Sequence, residues 1–334
     1  MSQNFAEPNS FPTMQTHRHL DALRTLPGPL HLAIGVFDGL HLGHQEVIRQ
    51  AREAAIALGG TAVVVTFDPH PIRVLRPAQA PNLLTSTRHK EVILARLGML
   101  HLLEIPFTTE FATNSAEAFV DLLRERCQPL GSISVGCDWA FGKDRQGTLA
   151  TLQSLGTLHR FQVHGTPRVC VDEEPISSTR IRHTVEAGDF AAAQKLLGRE
   201  YSVLGTIVKG RQLGRKIGFP TANLASLAEQ LPPVGVYAVK ARYQDTFLPA
   251  VANLGYRPTV AEGERERLLE VHLLDFDEDI YDQELEVKFI QRLRSEMRLG
   301  SLDELKDQIA RDTLTARSLL SETSPAPEPE LEDE

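Results

Sequence analysis

The sequence predicts two architectures in one chain: a doubly wound parallel α/β sheet in the N-terminal half, and a small closed β-barrel with a terminal helix in the C-terminal half. Three observations carry this. From about residue 30 to 197, short apolar runs alternate with helical stretches, the pattern of a parallel sheet covered by helices. After about residue 200 the pattern becomes strands and turns, with one helix at the end. The change of style falls near Leu197–Tyr201, and no internal repeat spans it.

Residues 1–16 read as a disordered N-terminus and 17–197 as the first domain. Its strand candidates are His31–Phe37, Thr61–Phe67, Leu100–Phe107, Ser132–Trp139 and Phe161–Gly165. Ala62-Val63-Val64-Val65 is apolar on both faces, as a central parallel strand must be. The helix after the first run carries Val47, Ala51, Ala55 and Leu58 on one stripe, and Gly59-Gly60 stops it. Asn114 with Glu117 predicts a capping pair before the apolar stretch 118–123.

The second domain, 198–320, has strand candidates at Tyr201–Val208, Val234–Tyr243, Thr246–Asn253, Leu268–Phe276 and Leu285–Leu293. Leu285, Val287 and Phe289 alternate with Glu286 and Lys288, the period of a half-buried strand. Ser301 with Glu304 predicts a capping box for a closing helix with Leu302, Leu305 and Ile309 at helical spacing. Residues 321–334 read as a disordered tail, because a Pro-Ala-Pro-Glu-Pro-Glu composition cannot bury a core.

At 334 residues, with 42% apolar and 24% charged residues, the chain can build two cores. Much of the net charge of −9 comes from Glu322, Glu328, Glu330, Glu332, Asp333 and Glu334 in the tail, so nothing points to a nucleic-acid partner. Cys127, Cys137 and Cys170 form no disulfide framework and no zinc-like spacing, and read as small buried hydrophobes. No apolar run approaches the roughly 18 residues of a membrane span, and the polar first residues, with Glu7, are no secretory signal. The expectation is a cytoplasmic protein with no membrane partner.

Two stretches carry phosphate chemistry. Gly35-Val36-Phe37-Asp38-Gly39-Leu40-His41-Leu42-Gly43-His44 follows the first apolar run. Its glycines permit a tight turn and close approach, and its histidines fall where a helix begins, near free N–H groups that favour an anion. Gly214-Arg215-Lys216-Ile217-Gly218-Phe219-Pro220-Thr221-Ala222-Asn223 opens the second domain. Pro220 fixes one backbone angle, after which Thr221 and Asn223 share one face of an extended segment. A hydroxyl and an amide oxygen so placed can ligate a hard cation such as Mg²⁺.

His41-Leu42-Gly43-His44 resembles the HxGH signature of the nucleotidylyl transferase superfamily, with its Rossmann-like sheet. The longer stretch resembles the start of the prokaryotic bifunctional riboflavin kinase/FMN adenylyltransferase (FAD synthetase) family. Further matches follow in order at Thr66–Pro71, Asn114–Val120, Val135–Gly142 and Ile176–Arg182. The resemblance implies that this half moves AMP from ATP onto FMN and releases pyrophosphate. It implies an ATP and phosphate site of Phe37, Gly39, His41, Gly43, His44, Asp138, Ser178, Thr179 and Arg182, with His41 and His44 on the phosphates. Asp68, His70 and Asn114 are candidates for the flavin side. Trp139 and Cys137 stand where Phe and a small residue are more usual.

In the second half, Pro233–Val239, Ala252–Thr259, Glu270–Phe276 and Leu293–Met297 resemble riboflavin kinase motifs. The resemblance implies Thr221 and Asn223 as Mg²⁺ ligands and an ATP loop of Gly210, Gly214, Lys216 and Gly218. It implies Glu270 as the base toward riboflavin's terminal ribityl hydroxyl, aimed into a barrel mouth, with Asn253 and Arg294 on the flavin side. Glu270 and His272 share one strand face, opposite Val271 and Leu273. Val260 and Arg298-Leu299 depart from residues common in the family.

The expected function is two consecutive steps: riboflavin plus ATP gives FMN, and FMN plus ATP gives FAD. The rivals are a single-activity enzyme, a non-catalytic flavin-binding module, and a nucleotidylyl transferase for pantetheine phosphate or NMN. The first two require the loss of His41/His44 or Thr221/Asn223/Glu270, and all are present. The kinase-like half and Asn114–Val120 speak against the third. Recipient apoflavoproteins are the expected macromolecular partners; the sequence leaves open whether the chain forms a homo-oligomer.

Overall fold

The structure, a computed structural model, describes residues 14–322 apart from 211–213, 215–216, 226–228, 245, 259–264 and 298–299. Lys216, Val260 and Arg298-Leu299 therefore lie outside the described residues.

The N-terminal half is a six-stranded parallel sheet: β1 (Gln15–His17), β2 (Leu30–Ile34), β3 (Thr61–Asp68), β4 (His101–Pro106), β5 (Leu130–Gly136) and β6 (Gln162–Thr166). The order across the sheet is β1-β4-β3-β2-β5-β6. The chain winds outward from β2 through β3 to β4, then crosses back to β5. The strand order thus reverses beside β2, where an open α/β sheet forms its ligand crevice. β2 is buried along its whole length, as are Val63, Val64 and Val65 of β3, which explains their two-faced apolarity.

The helices are α1 (Leu42–Leu58), α2 (Pro71–Leu75), α3 (Thr87–Arg96), α4 (Ala116–Arg126), α5 (Leu149–His159), α6 (Ser178–Ala187) and α7 (Phe190–Leu197). A short hairpin of β7 (Cys170–Val171) and β8 (Glu174–Pro175) precedes α6. α1 buries Val47, Ile48, Ala51 and Ala55.

Several expectations need correction. Leu58 is 53% exposed, because it sits in the last turn beyond the edge of the sheet, and Ile48 takes the inner position. The cap of α4 is Ser115, whose hydroxyl accepts from Ala118 N at 3.1 Å; Asn114 lies one residue too early and donates to Phe111 O. Gln15 and Thr16 are strand residues, because β1 pairs with β4 and covers its free edge. Only Cys127 is buried; Cys137 and Cys170 are exposed, each next to a turn at the end of a strand.

The C-terminal half closes six antiparallel strands into a barrel, in the order β10-β13-β12-β11-β14-β9. They are β9 (Ser202–Val208), β10 (Ala222–Ala225), β11 (Gly235–Tyr243), β12 (Thr246–Pro258), β13 (Arg265–Leu273) and β14 (Glu284–Arg294). β10 is the strand hidden in the Pro-Thr-Ala-Asn motif. α8 (Leu302–Glu322) packs on the barrel's outside through Ala316, Leu319 and Leu320 against Val236, Ala238, Val251 and Leu274. Ser301 accepts from Glu304 N at 3.2 Å, and the Glu304 carboxylate accepts from Gly300 N at 2.7 Å. Leu302, expected inside, is 56% exposed: the buried stripe begins farther along α8. The helix also includes Ser321 and Glu322, which the sequence assigns to the tail.

The boundary near Leu197 separates two architectures but not two cores. Ile181, Val185, Phe190 and Leu196 of α6 and α7 share one buried cluster with Tyr237 and Phe289 of the barrel. The rings of Phe190 and Phe289 stack 5.5 Å apart. Burial of such side chains stabilises by roughly 1.5–3 kcal/mol each, so the halves are held as one body.

Candidate active sites

The first site forms in the loop after β2, at the point where strand order reverses. Gly39 has φ +86°, and a Cβ there would lie 2.7 Å from Leu84 Cδ1. Phe37 and Leu40 also adopt positive φ, at 51° and 43°, and both are buried. Such conformations cost about 1–3 kcal/mol each and persist only where the surroundings impose them. Here they do. Val36 O accepts from Lys90 Nζ (3.0 Å) and Thr66 Oγ1 (3.0 Å). Asp38 O accepts from Ser178 Oγ at 2.9 Å. Gly39 O and Leu40 O accept from Arg199 at 2.9 and 3.1 Å, and Leu40 O also from Gln45 Nε2 at 2.8 Å. The Asp38 carboxylate accepts from Leu84 N (2.8 Å) and Thr85 N (3.2 Å), and pairs with the guanidinium of Arg182. Asp38 and Arg182 are both buried.

His41 caps α1, accepting from His44 N at 3.3 Å through Nδ1. The His41 and His44 rings stack with centroids 3.6 Å apart, and the edge of Phe37 meets His44. Gly43 sits between them, and a Cβ there would lie 3.3 Å from the His41 ring. Burial, with the Arg199 charge nearby, lowers the His41 pKa to about 4. Burial and the neighbouring His41, Lys90 and Arg199 hold His44 well below its ordinary value. Both rings are therefore neutral at pH 7. Because His41 Nδ1 accepts a bond, its proton sits on Nε2, which is left as a donor. His44 Nδ1 is buried with no partner. These atoms lie at the positive end of a 17-residue helix, an arrangement that binds phosphate oxygens.

The other expected residues of this half sort into three groups. Ser178 and Arg182 are brought to the loop, but both bond Asp38, and Arg182 also donates to Asn82 O at 2.7 Å; they shape the loop from behind. Thr179 is the second residue of α6, whose cap is Ser177. Asp68 and His70 end β3 on the same side of the sheet. His70 caps α2, and its pKa is lowered, chiefly by burial, with Asp38, Arg182 and Lys90 all close enough to act on it. Asp138, at the end of β5, holds Arg168 at 2.9 Å. Asn114 flanks an aromatic shelf across the ends of β3, β4 and β5: Phe67, Phe107, Phe111, Trp139 and Phe141, with Trp139 and Phe141 stacked at 4.5 Å.

The second site is a row across the barrel. Asn223 of β10 pairs directly with Glu270 of β13, and Glu270 with Asn253 of β12. Directly opposed residues stand about 4.5–5.5 Å apart at Cβ, so three residues expected separately form one line. Their neighbours Leu224, Leu269, Val271 and Leu254 fill the barrel. Strand alternation therefore turns the row outward, toward the face that α8 shares, and not into the barrel mouth as expected. Gly210 lies over the row's end, since a Cβ there would come within 2.7 Å of Asn223 Oδ1. Phe219 N donates to Gly214 O at 2.8 Å, closing a turn that contains Gly218 and precedes Thr221. His272 Nδ1 meets Pro220 O at 2.7 Å, fixing that turn against β13. Arg294, expected on the flavin side, is instead held by Asp312 of α8 in a bidentate pair at 3.0 and 2.7 Å.

Residues 24–180 match the family model for FAD synthetase and residues 197–320 that for riboflavin kinase. A bifunctional riboflavin kinase/FMN adenylyltransferase of Escherichia coli (strain K12) is 39% identical over 296 residues, 88% of this chain and 94% of the relative. The chain belongs to the bifunctional riboflavin kinase/FMN adenylyltransferase family. Another member, from Pseudomonas fluorescens, is 39% identical over 306 residues, 92% of this chain and 98% of its own. A solved structure described as a macrolide-efflux protein from Streptococcus pneumoniae has the same fold: TM-score 0.74, 31% identity, 90% of this chain and 98% of that one covered. Among the described residues, no helix is long and apolar enough to cross a membrane.

Membership of the bifunctional riboflavin kinase/FMN adenylyltransferase family does not by itself identify the residues that shape the first loop. Asp38 lies inside the glycine-rich stretch and Gln45 directly follows it, but Lys90, Arg199 and Thr85 carry no local signal. Their role arises only when α3, the segment before it and the segment after α7 fold against the loop.

Proposed function

We propose that the chain makes FAD in two steps on two sites: 198–320 phosphorylates riboflavin to FMN, and 17–197 adenylylates FMN. The observation that carries this reading is the coexistence, in one chain, of a histidine loop at the strand-reversal point and the Asn223–Glu270–Asn253 row on the barrel.

In adenylyl transfer an FMN phosphate oxygen attacks the α-phosphorus of ATP, and the bond to the β-phosphate oxygen breaks to release pyrophosphate. Negative charge grows on the leaving phosphates. Neutral His41 and His44, and the N-terminus of α1, stabilise it as preorganised donors. The half-buried shelf of Phe67, Phe107 and Trp139 offers a face of the right chemistry for the flavin ring, with Asp68, His70, Asn114 and Asp138 around it.

In the kinase step the terminal ribityl hydroxyl attacks the γ-phosphorus of ATP, the bond from that phosphorus to the β-phosphate oxygen breaks to release ADP, and Glu270 accepts the hydroxyl proton. Thr221 and Asn223 hold Mg²⁺ in this reading. The fit rests on their oxygen donors and on the clearance that Gly210 leaves over Asn223. Mg²⁺ bound there with nucleotide phosphates would neutralise charge on the transferred group. Gly210, Gly214 and Gly218 give the neighbouring loop its reach toward ATP. The FAD made here supplies recipient apoflavoproteins in the cytoplasm.

The test uses purified protein with Mg²⁺ and ATP, supplied with riboflavin or FMN in separate reactions, products being resolved by chromatography. Riboflavin yields FMN first and FAD after; supplied FMN yields FAD. The His44→Ala protein loses FAD formation from supplied FMN and keeps FMN formation from riboflavin. Retention of both activities in that variant would overturn the assignment of the first site.

A further inference from the structure

The segment Leu83–Ser86 runs between the histidine loop and the barrel half, bonded on both sides. Toward the loop, Leu84 N and Thr85 N donate to Asp38, and Thr85 Oγ1 accepts from Gly39 N at 3.2 Å. Toward the barrel, Ser86 N donates to Glu229 at 2.7 Å, Gln230 N donates to Leu83 O at 2.5 Å, and Leu83 bridges Glu229 in parallel register. Glu229 is 3% exposed. Its second oxygen accepts from Leu204 N of β9 at 3.1 Å, which fixes the carboxylate to the barrel.

The same carboxylate reaches the loop by a second path. Ser86 caps α3, and Glu229 also accepts from His89 Nδ1 at 3.0 Å in the first turn of that helix. One residue on, Lys90 donates to Val36 O and, at 3.2 Å, to Thr66 Oγ1. Position and tilt at the start of α3 therefore set where Lys90 meets the loop.

We propose that Glu229, a residue of the barrel half, is a positioning residue for adenylyl transfer in the other half. It rests on the reading of Phe37–His44 as the ATP phosphate loop. Asp38, Gly39 and Val36 all take their places from groups that Glu229 holds, and the strained backbone at Phe37 and Leu40 needs that support to keep His41 and His44 in register. An error of an ångström in such a site costs up to about a hundredfold in rate.

The test measures steady-state rates of the full-length chain with ATP and either FMN or riboflavin. Glu229→Gln and Glu229→Asp lower kcat/KM for ATP in FMN adenylylation by roughly tenfold or more, with KM for FMN and the riboflavin kinase rate changed less than about threefold. Glu229→Asp keeps a negative charge in the network while withdrawing the oxygen that Ser86 N and His89 Nδ1 share, and so supplies a charged second variant should the amide destabilise the network. Glu284→Gln breaks the exposed pair with Arg88, which also joins the halves at 2.9 Å, and leaves both rates within about twofold. A folded Glu229 variant with the parent's adenylylation rate overturns the proposal. So does an equal loss of both activities, or an equal effect of Glu284→Gln. His44→Ala, run in parallel, keeps the two ideas apart. If it spares adenylylation, the loop reading fails; if it abolishes adenylylation while the Glu229 variants do not, only the positioning role fails.

Discussion

The imidazoles of His41 and His44 stack 3.6 Å apart at the N-terminus of α1, 18° from parallel. Two protonated rings could not share that spacing in a buried site, and the pKa directions agree: about 4 for His41 and well below 6.5 for His44. Neither ring in the free protein should titrate between pH 8 and 5. Histidine ring NMR checks this, with the His41 midpoint expected near 4; a midpoint close to 6.5 would remove the neutral-donor mechanism. The linkage follows in sign. As pH falls from 6.5 toward 4, the unfolded chain binds protons that the native protein does not, so stability declines by up to about 1.4 kcal/mol per pH unit for each histidine.

His89 does the opposite. Burial alone would lower its pKa, but the carboxylates of Glu229 and Glu286 outweigh burial and raise it to about 9. Its folded pKa lies above the unfolded value, so its contribution is full below pH 6.5 and disappears as pH rises through 9. A shift of this size corresponds to something on the order of 3 kcal/mol. The stability difference between parent and His89→Gln, from denaturant titrations, should be largest at pH 6 and shrink steadily to pH 9.5. A difference independent of pH would mean that His89 is not charged in the fold.

How much of this was legible beforehand depends on the range of the interactions. Ala62–Val65, buried on both faces, and Gly59-Gly60 after α1 declare themselves locally, so the parallel sheet was readable. β10 was visible only as a motif, since four residues give no periodicity. The outward turn of Glu270 was implicit in its alternation with Val271, yet which face met the barrel interior required the closure of six strands. Asp38 stood in a recognisable stretch; Lys90, Arg199 and Glu229 did not. Their partners lie 54, 160 and 143 residues away in sequence, and a contact of that range leaves no mark on either neighbourhood. Asn114 and Leu58 failed for a smaller reason: a shift of one residue at a cap, or one turn at a helix end, moves a side chain off its face.

The register of Asn223, Glu270 and Asn253 separates the two activities. Glu270→Gln keeps the shape of the row and removes the carboxylate proposed as the base, so riboflavin phosphorylation should fall about 10²–10⁴-fold. Adenylylation of supplied FMN should be unchanged, because the histidine loop touches none of the row. An FMN formation rate near the parent's would show that the proton leaves by another route.

Asp38 and Arg182 give the sharpest test of the loop's support. Asp38 takes Leu84 N and Thr85 N on one oxygen and Arg182 on the other. Asp38→Asn preserves an acceptor for the two amides but turns an NH₂ toward the guanidinium of the buried Arg182. Removing one partner of a buried pair leaves an uncompensated charge, at a cost of roughly 3–5 kcal/mol. Arg182→Met alone strands the Asp38 carboxylate, though its two backbone donors remain, and should cost less. In Asp38→Asn/Arg182→Met no buried charge is left, so the double variant should be more stable than the sum of the single losses predicts, by at least about 1 kcal/mol. Adenylylation should not recover with stability, since Arg182 no longer ties α6 to the loop and to Asn82. Chemical denaturation and FAD formation from supplied FMN, measured on the same four proteins, decide the matter: additive losses would mean that the pair does not act as a unit, and recovered activity would mean that the loop needs only its fold and not this anchor.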